Sequence, residues 1–510
     1  MLEGWVIVVV AFAYLGVLFA IASYGDRRAA AGRSIIASPT IYALSLAVYC
    51  STWTFYGSVG RAAKAGLGFL PIYLGPTLML ALGWYVMRKI IRISKTYRIT
   101  SIADFIASRY GKSQLLGGLV TVVAVIGVIP YISLQLKAIS HSYDILRHHP
   151  DIATAAQAAV PIQHDTAFYI ALILAAFTIL FGTRHLDATE RHEGMVAAIA
   201  FESVVKLLAF LAVGIFVTFG IYAGFGDLFG VAAEWPKLEA LGNVAPDGSY
   251  GTWGILILTS MFTMVALPRQ FQVAVVENVD EDHLRRAIWL FPLYLLLINI
   301  FVLPVAVGGL VAFAGRGVDA DTFVLTLPMA YQNQVLALFV FIGGLSAGTG
   351  MVTVETIALS TMVCNDLVMP VLLRLPGLGL TRRPDLSRLL LGIRRCAITG
   401  ILLLSYVYFH DAGEDYALVY TGLISFAAVA QFAPAIFGGI YWKNGTRSGA
   451  IAGLSVGFAV WAYTLFLPPF AKLGFVPADI LTNGPFGIAL LRPQHLFGLD
   501  GMDDISQGVF

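Results

Sequence analysis

Tyr49-Cys50-Ser51-Thr52-Trp53-Thr54, with Gly57 and Gly60 behind it, stands in the middle of an apolar stretch running from residue 39 to 60. A second stretch, 253–277, carries Pro268-Arg269-Gln270 and then Gln272 at its centre. Both are long enough to cross a bilayer, which takes about 20 residues, and both are badly built for lipid. Proline removes a helical hydrogen bond, and an arginine in hydrocarbon is expensive. Irregular backbone at membrane depth survives only where protein buries it or where it lines a watery cavity. These two segments are therefore read as broken helices inside a larger bundle.

The rest of the chain supplies that bundle. Of 510 residues, 58% are hydrophobic and 12% charged, against about 25% charged in soluble domains. Apolar windows fall near 3–24, 39–60, 67–88, 113–138, 164–182, 193–223, 253–277, 286–314, 327–364, 389–409, 416–440 and 447–468, so roughly twelve spans are expected. They are numbered first to twelfth below. The long ninth segment is expected to hold one tilted or bent helix. A formal net charge of +2 without basic or acidic tails gives no reason to expect a nucleic-acid partner. Cys50, Cys364 and Cys396 lie in apolar segments without zinc spacing, and no nucleophile–base constellation suggests an enzyme. The first apolar run is followed, not preceded, by Arg27 and Arg28, so it reads as a retained helix rather than a cleaved signal.

Orientation follows from the loops. With the N-terminus outside, loops 25–38, 89–112, 183–192, 278–287, 365–395 and 441–447 face the cytoplasm. They hold about three times as many lysines and arginines as the opposite set, which is the positive-inside pattern. Twelve crossings return the chain to the outer face. Either it ends there, or a thirteenth helix follows; the apolar Gly508-Val509-Phe510 favours the second reading. Ten core spans, the second to the eleventh, divide into two sets of five, and each set opens with one of the broken helices. An odd number per set makes the two sets enter from opposite faces, the pattern of an inverted repeat with a midplane site.

These residues resemble the sodium/solute symporter family. Phe432, Pro434, Gly438, Gly439, Trp442-Lys443, Thr446 and Gly449-Ala450 are similar to the family's signature; Tyr97-Arg98-Ile99-Thr100-Ser101-Ile102-Ala103-Asp104-Phe105 through Gly111, and Ala266-Leu267-Pro268, support it. The resemblance implies an all-α integral membrane protein with a LeuT-like five-plus-five inverted repeat: 1–38 an extra helix and loop, 39–223 and 253–440 the two repeats, and 441–510 a further helix and outer loop. It implies a transporter of a small polar solute, an amino acid or short carboxylate, in a bacterial inner membrane. No cofactor is implied beyond a sodium ion or proton. A narrower resemblance, on Phe181-Gly182-Thr183-Arg184-His185-Leu186-Asp187 through Met195 and on Asp504-Ile505-Ser506-Gln507 through Phe510, is to the transporter-like sensor module of bacterial histidine kinases. It implies an alternative role as a receptor, with a response regulator as partner through a kinase absent from this chain.

The resemblance also implies an ion site. Aligned on Phe55-x-Gly57-x-x-Gly60, its carbonyl positions fall at Ala47 and Cys50; aligned on Ser360-Thr361 and Asn365-Asp366, a third falls at Ala347. Oxygen ligands suit a hard cation. The two hydroxyl positions fall on Gly350 and Met351, which carry none; a shifted register brings in Ser346 or Thr349. The site thus reads as degraded. Tyr49, Ser51, Tyr73, Met264, Pro268 and Arg269 are the candidate solute contacts. Arg269 either meets a substrate carboxylate or snorkels to a cavity. Proton coupling, or sensing without coupling, is expected through His192 with Glu190, Glu193 or Glu202 nearby, with surface charges in a cytoplasmic loop as the bland alternative. Glu202 and Lys206, four apart, read as a neutralising pair. Glu355, a lone intramembrane carboxylate, is a further candidate.

Overall fold

The computed structural model describes residues 3–148, 161–182, 192–234, 250–375, 385–413, 418–472, 474–498 and 504–509. Within them the chain is helical, with no strand. Eight helices are long and apolar enough to span a membrane, and Tyr250–Ala266 with Pro268–Val276 makes a ninth, bent by 54°. The shorter apolar helices Pro39–Tyr49, Pro71–Ala81 and Thr166–Gly182 coincide with the second, third and fifth spans. Every window read from the sequence therefore has a helix, and both anticipated breaks are present.

Burial separates core from periphery. Along the most apolar window of each span, the first and twelfth have 22% of residues buried, against 67% for the fourth and eleventh and 72% for the ninth. A helix that is apolar all round and little covered by protein is one that meets lipid. Among the eight long spans, the first and twelfth are the least covered.

The long ninth segment differs from the single helix expected. It divides into Phe323–Ala330 and Gln334–Met362. The cause is local: Gln332 takes a positive φ of 57°, and Asn333 restarts the helix by accepting a hydrogen bond from the Leu336 amide at 3.1 Å. An asparagine N-cap of this kind satisfies one of the amides a new helix leaves open.

With little hydrophobic drive between helices in lipid, close backbone approach matters more. The third and seventh spans meet at Gly75, where a Cβ would lie 2.2 Å from Ser260 Oγ and 2.5 Å from both the Ile257 carbonyl and the Met261 amide. On the arginine-rich face, Glu281 bridges Arg88 at 2.9 Å and Arg92 at 2.6 Å, and Lys95 Nζ donates to the Val279 carbonyl at 2.9 Å. These bonds tie the end of the third span to the connection between the seventh and eighth. The two stretches that carried the resemblance also meet: Arg109 Nε donates to the Gly439 carbonyl and Tyr110 Oη to that of Ala435, both at 3.0 Å.

Gly75→Val is expected to cost the helix pair about 1–3 kcal/mol through overpacking. Thermal melting of detergent-purified protein, followed by size-exclusion chromatography, checks this; Gly254→Val, where a Cβ meets nothing within 4 Å, is the control expected to melt like the parent.

Candidate functional site

The first break begins where the helix tightens at Leu46–Tyr49 and Cys50 turns extended, with φ −79° and ψ 91°. The chain resumes as helix from Trp53. Side chains of the fourth span splint the gap. Gln135 Oε1 accepts from the Thr52 amide at 3.1 Å and from Thr52 Oγ1 at 2.8 Å, and Ser51 Oγ lies 2.8 Å from Tyr131 Oη. An unwound backbone in a buried setting needs such partners, because an orphaned polar group there costs about 1–3 kcal/mol.

The second break lies at Leu267, extended at ψ 130°, with Pro268 as the first residue of the resumed helix. Proline suits that position because its missing amide would be unpaired there anyway. The two breaks touch: Tyr42 Oη donates to the Ala274 carbonyl at 2.8 Å, and Gln270 Nε2 approaches the Leu46 carbonyl at 3.4 Å and Met264 Sδ at 3.2 Å.

Arg269, fully buried, neither snorkels nor stands alone. Its Nη1 pairs with Glu355 Oε2 at 2.9 Å, and its Cζ lies 4.4 Å from the centre of the Tyr131 ring. The Glu355 carboxylate is therefore a counter-ion rather than a lone group. Arg269 Nε and Nη2 and Glu355 Oε1 have no hydrogen-bond partner among the described residues. Around them Trp53, Tyr131 and Phe426 pack ring to ring, with centroids 4.7–5.9 Å apart, and Tyr49 meets Phe426 at 6.1 Å. This aromatic wall and the half-satisfied ion pair are buried together and form the candidate solute site.

The anticipated solute contacts are only partly assembled. Ser51, Arg269 and Tyr49 border this wall. Tyr49 Oη is already committed to the Ile72 carbonyl at 2.8 Å. Tyr73 hydrogen-bonds Ser58 and packs on Phe69. Met264 and Pro268 are buried, Met264 receiving Gln270. Tyr131, Gln135 and Phe426 escaped the sequence reading; Gln135, an amide inside an apolar span beyond Pro130, was the available signal.

The ion site departs most from expectation. The carbonyls of Ala47 and Cys50 both accept from Lys206 Nζ, each at 2.7 Å. Lys206 and Glu202 make no direct salt bridge along the sixth span; they remain close enough to balance charge, but each hydrogen-bonds to another helix. Glu202 Oε1 accepts from Thr349 Oγ1 at 2.6 Å, and the Glu202 carbonyl accepts from Ser346 Oγ at 2.9 Å. A Cβ at Gly350 would lie 2.3 Å from Glu202 Oε2, so the glycine standing at an expected hydroxyl position leaves the room that the carboxylate takes. Ala347 is buried on the same helix.

His192 is also placed otherwise than expected. Its amide donates to Glu277 Oε2 at 2.8 Å and its Nδ1 lies 3.1 Å from Glu277 Oε1, which also accepts from Gln272 Nε2 at 2.9 Å. Glu202 is ten positions further along the helix, about 15 Å away. Glu193 Oε2 has no hydrogen-bond partner among the described residues, and Glu190 lies outside them.

Comparison with known proteins agrees with this architecture. Residues 29–141 match the sodium:solute symporter family. Two uncharacterized symporters of Bacillus subtilis (strain 168) are similar along most of their length. YodF is 24% identical over 476 residues, covering 90% of this chain and 86% of its own; YhjB is 23% identical over 416 residues, covering 81% and 78%. The substrate-bound, outward-open structure of a Na+-coupled sialic acid symporter superposes with a TM-score of 0.66 at 13% identity, over 96% of both chains. At that identity the likeness is one of fold. Together these findings support a multi-pass membrane transporter rather than an enzyme.

Breaking the Arg269–Glu355 pair strands a buried charge. Arg269→Met and Glu355→Leu should each lose about 3–5 kcal/mol, and the double variant should regain most of it. Thermal melts of the four proteins in one detergent measure this; additive losses would show the pair to be uncoupled.

Proposed function

We propose that this protein binds and translocates a small polar solute bearing a carboxylate, an amino acid or short carboxylate, between its two broken helices, without sodium and with protons as the coupling ion. The observation that carries the reading is Arg269: a guanidinium held in place by Glu355 and Tyr131 with two nitrogens still unpartnered. Guanidinium nitrogens are suited to bidentate recognition of a carboxylate. The unpartnered Glu355 oxygen would accept from an amino or hydroxyl group on the same solute. Glu202 and Lys206, titratable groups buried beside the first break, supply the means for proton linkage, as charged groups inside transporters often do. In this reading residues 39–223 and 253–440 are the two repeats that move against each other, and the N-terminus faces outward from a bacterial inner membrane. Receptor duty for a downstream kinase rests on the sequence resemblance at 181–195 and 504–510.

The test begins with a thermal-shift screen of the twenty L-amino acids and of two- to four-carbon carboxylates. A true ligand at a hundred times its dissociation constant should stabilise by about 2.7 kcal/mol. Uptake of the hit into proteoliposomes should persist when choline replaces sodium and collapse with a protonophore. Arg269→Gln should weaken binding at least about tenfold, or 1.4 kcal/mol. A strict sodium requirement would refute the coupling part, and ligand binding indifferent to Arg269 would refute the site.

A further inference from the structure

Backbone carbonyls freed by a break inside a membrane protein need a partner, and in broken-helix transporters unwound carbonyls of this kind coordinate the coupling cation. Here the Ala47 and Cys50 carbonyls converge on one atom, the Lys206 ammonium nitrogen, at 2.7 Å each. Lys206 is buried, and its charge reaches the site from the sixth span, a different element from the one that is broken. One turn earlier on that span, Glu202 carries the balancing charge into space left by Gly350 and is fixed by Thr349. Ammonium and metal ion would compete for the same two oxygens, and their like charges would repel in a low-dielectric interior.

We propose that Lys206 is a tethered cation that fills, from within the chain, an ion position built by the break at Cys50, so that removing its side chain would uncover a site for sodium. This deepens the sodium-independent coupling proposed above and rests on that reading only in treating the break as an ion position. A lysine serving merely as packing would leave no cation site behind it. The two carbonyls left after truncation are hard donors of the kind a sodium ion takes, and the Glu202 carboxylate one turn earlier supplies the balancing charge.

The experiment compares thermal melting of purified full-length protein in sodium chloride and in choline chloride at equal ionic strength, with no solute present. Failure of every transport assay would thus leave this readout intact. The parent should melt at the same temperature in both salts. Lys206→Ala should melt lower in choline and recover by a few degrees in sodium, rising with sodium concentration as a bound ligand requires. Lys206→Met, which keeps the volume and loses the charge, should be destabilised without the sodium recovery. Stabilisation of the parent by sodium, or a folded Lys206→Ala protein indifferent to sodium, overturns the proposal. If Lys206→Ala yields no folded protein in choline, purification in sodium throughout decides: recovery there supports the tethered cation, and failure in both salts overturns it.

Discussion

Hydrocarbon offers a backbone nothing to bond with, and the two interruptions at Cys50 and Leu267 set the terms for everything packed round them. Each must be enclosed, and each open amide or carbonyl must find a partner from another helix. That requirement brings the fourth span against the first break through Gln135 and Tyr131, and the sixth through Lys206. It also sets the two breaks against each other through Tyr42 and Gln270. The peripheral first and twelfth spans carry no such obligation and remain largely uncovered.

Charge follows backbone. Two basic side chains, Arg269 and Lys206, lie buried beside the breaks, and neither is left without a carboxylate in the neighbourhood. Arg269 has Glu355 directly; Lys206 has Glu202 one turn away on its own helix, with Thr349 holding that carboxylate aside. The arrangements differ in kind. The arginine pair contributes unsatisfied donors and an unsatisfied acceptor beside an aromatic wall. The lysine spends its hydrogen bonds on carbonyls and leaves its carboxylate to a hydroxyl. Unsatisfied buried groups are costly unless something fills them, which is a physical reason to seek the solute near Arg269 and the resident cation at Lys206.

Much of this was legible in the sequence. Hydropathy located every span, because long apolar runs are the strongest signal a membrane chain gives. The breaks were legible from Pro268-Arg269 and from the polar cluster at Tyr49–Thr54. Alignment on Gly57 and Gly60 singled out the Ala47 and Cys50 carbonyls, which in the fold accept from Lys206. What joined them was not legible. Sequence spacing put Glu202 and Lys206 on one helix face and suggested a pair, yet nothing in spacing says that the longer side chain reaches a neighbouring helix. His192 was similarly matched to carboxylates near it in sequence, whereas its partner, Glu277, comes from the far end of the seventh span. Helix breaks also hide in apolar text: Tyr331-Gln332-Asn333 interrupts the ninth segment without glycine or with any proline nearer than Pro328.

Gly350 shows how one small departure can reorganise a site. Read alone, a glycine at a hydroxyl position means a lost ligand and a weakened ion site. In the fold it is a gain of space: the Glu202 carboxylate lies where a side chain at 350 would otherwise stand. That carboxylate, drawn aside by Thr349, lets Lys206 extend to the break instead of folding back onto its own helix neighbour. On the tethered-cation proposal, the missing hydroxyl, the placed carboxylate and the ammonium together put a tethered charge where a diffusible one would bind. Its thermodynamic consequence is plain. A diffusible ion contributes stabilisation that depends on its concentration, whereas a covalently held ammonium contributes the same at every salt composition. On the tethered-cation proposal, the degraded appearance of the ion site in the sequence and the Lys206 ammonium on the Ala47 and Cys50 carbonyls in the fold are two views of the same exchange.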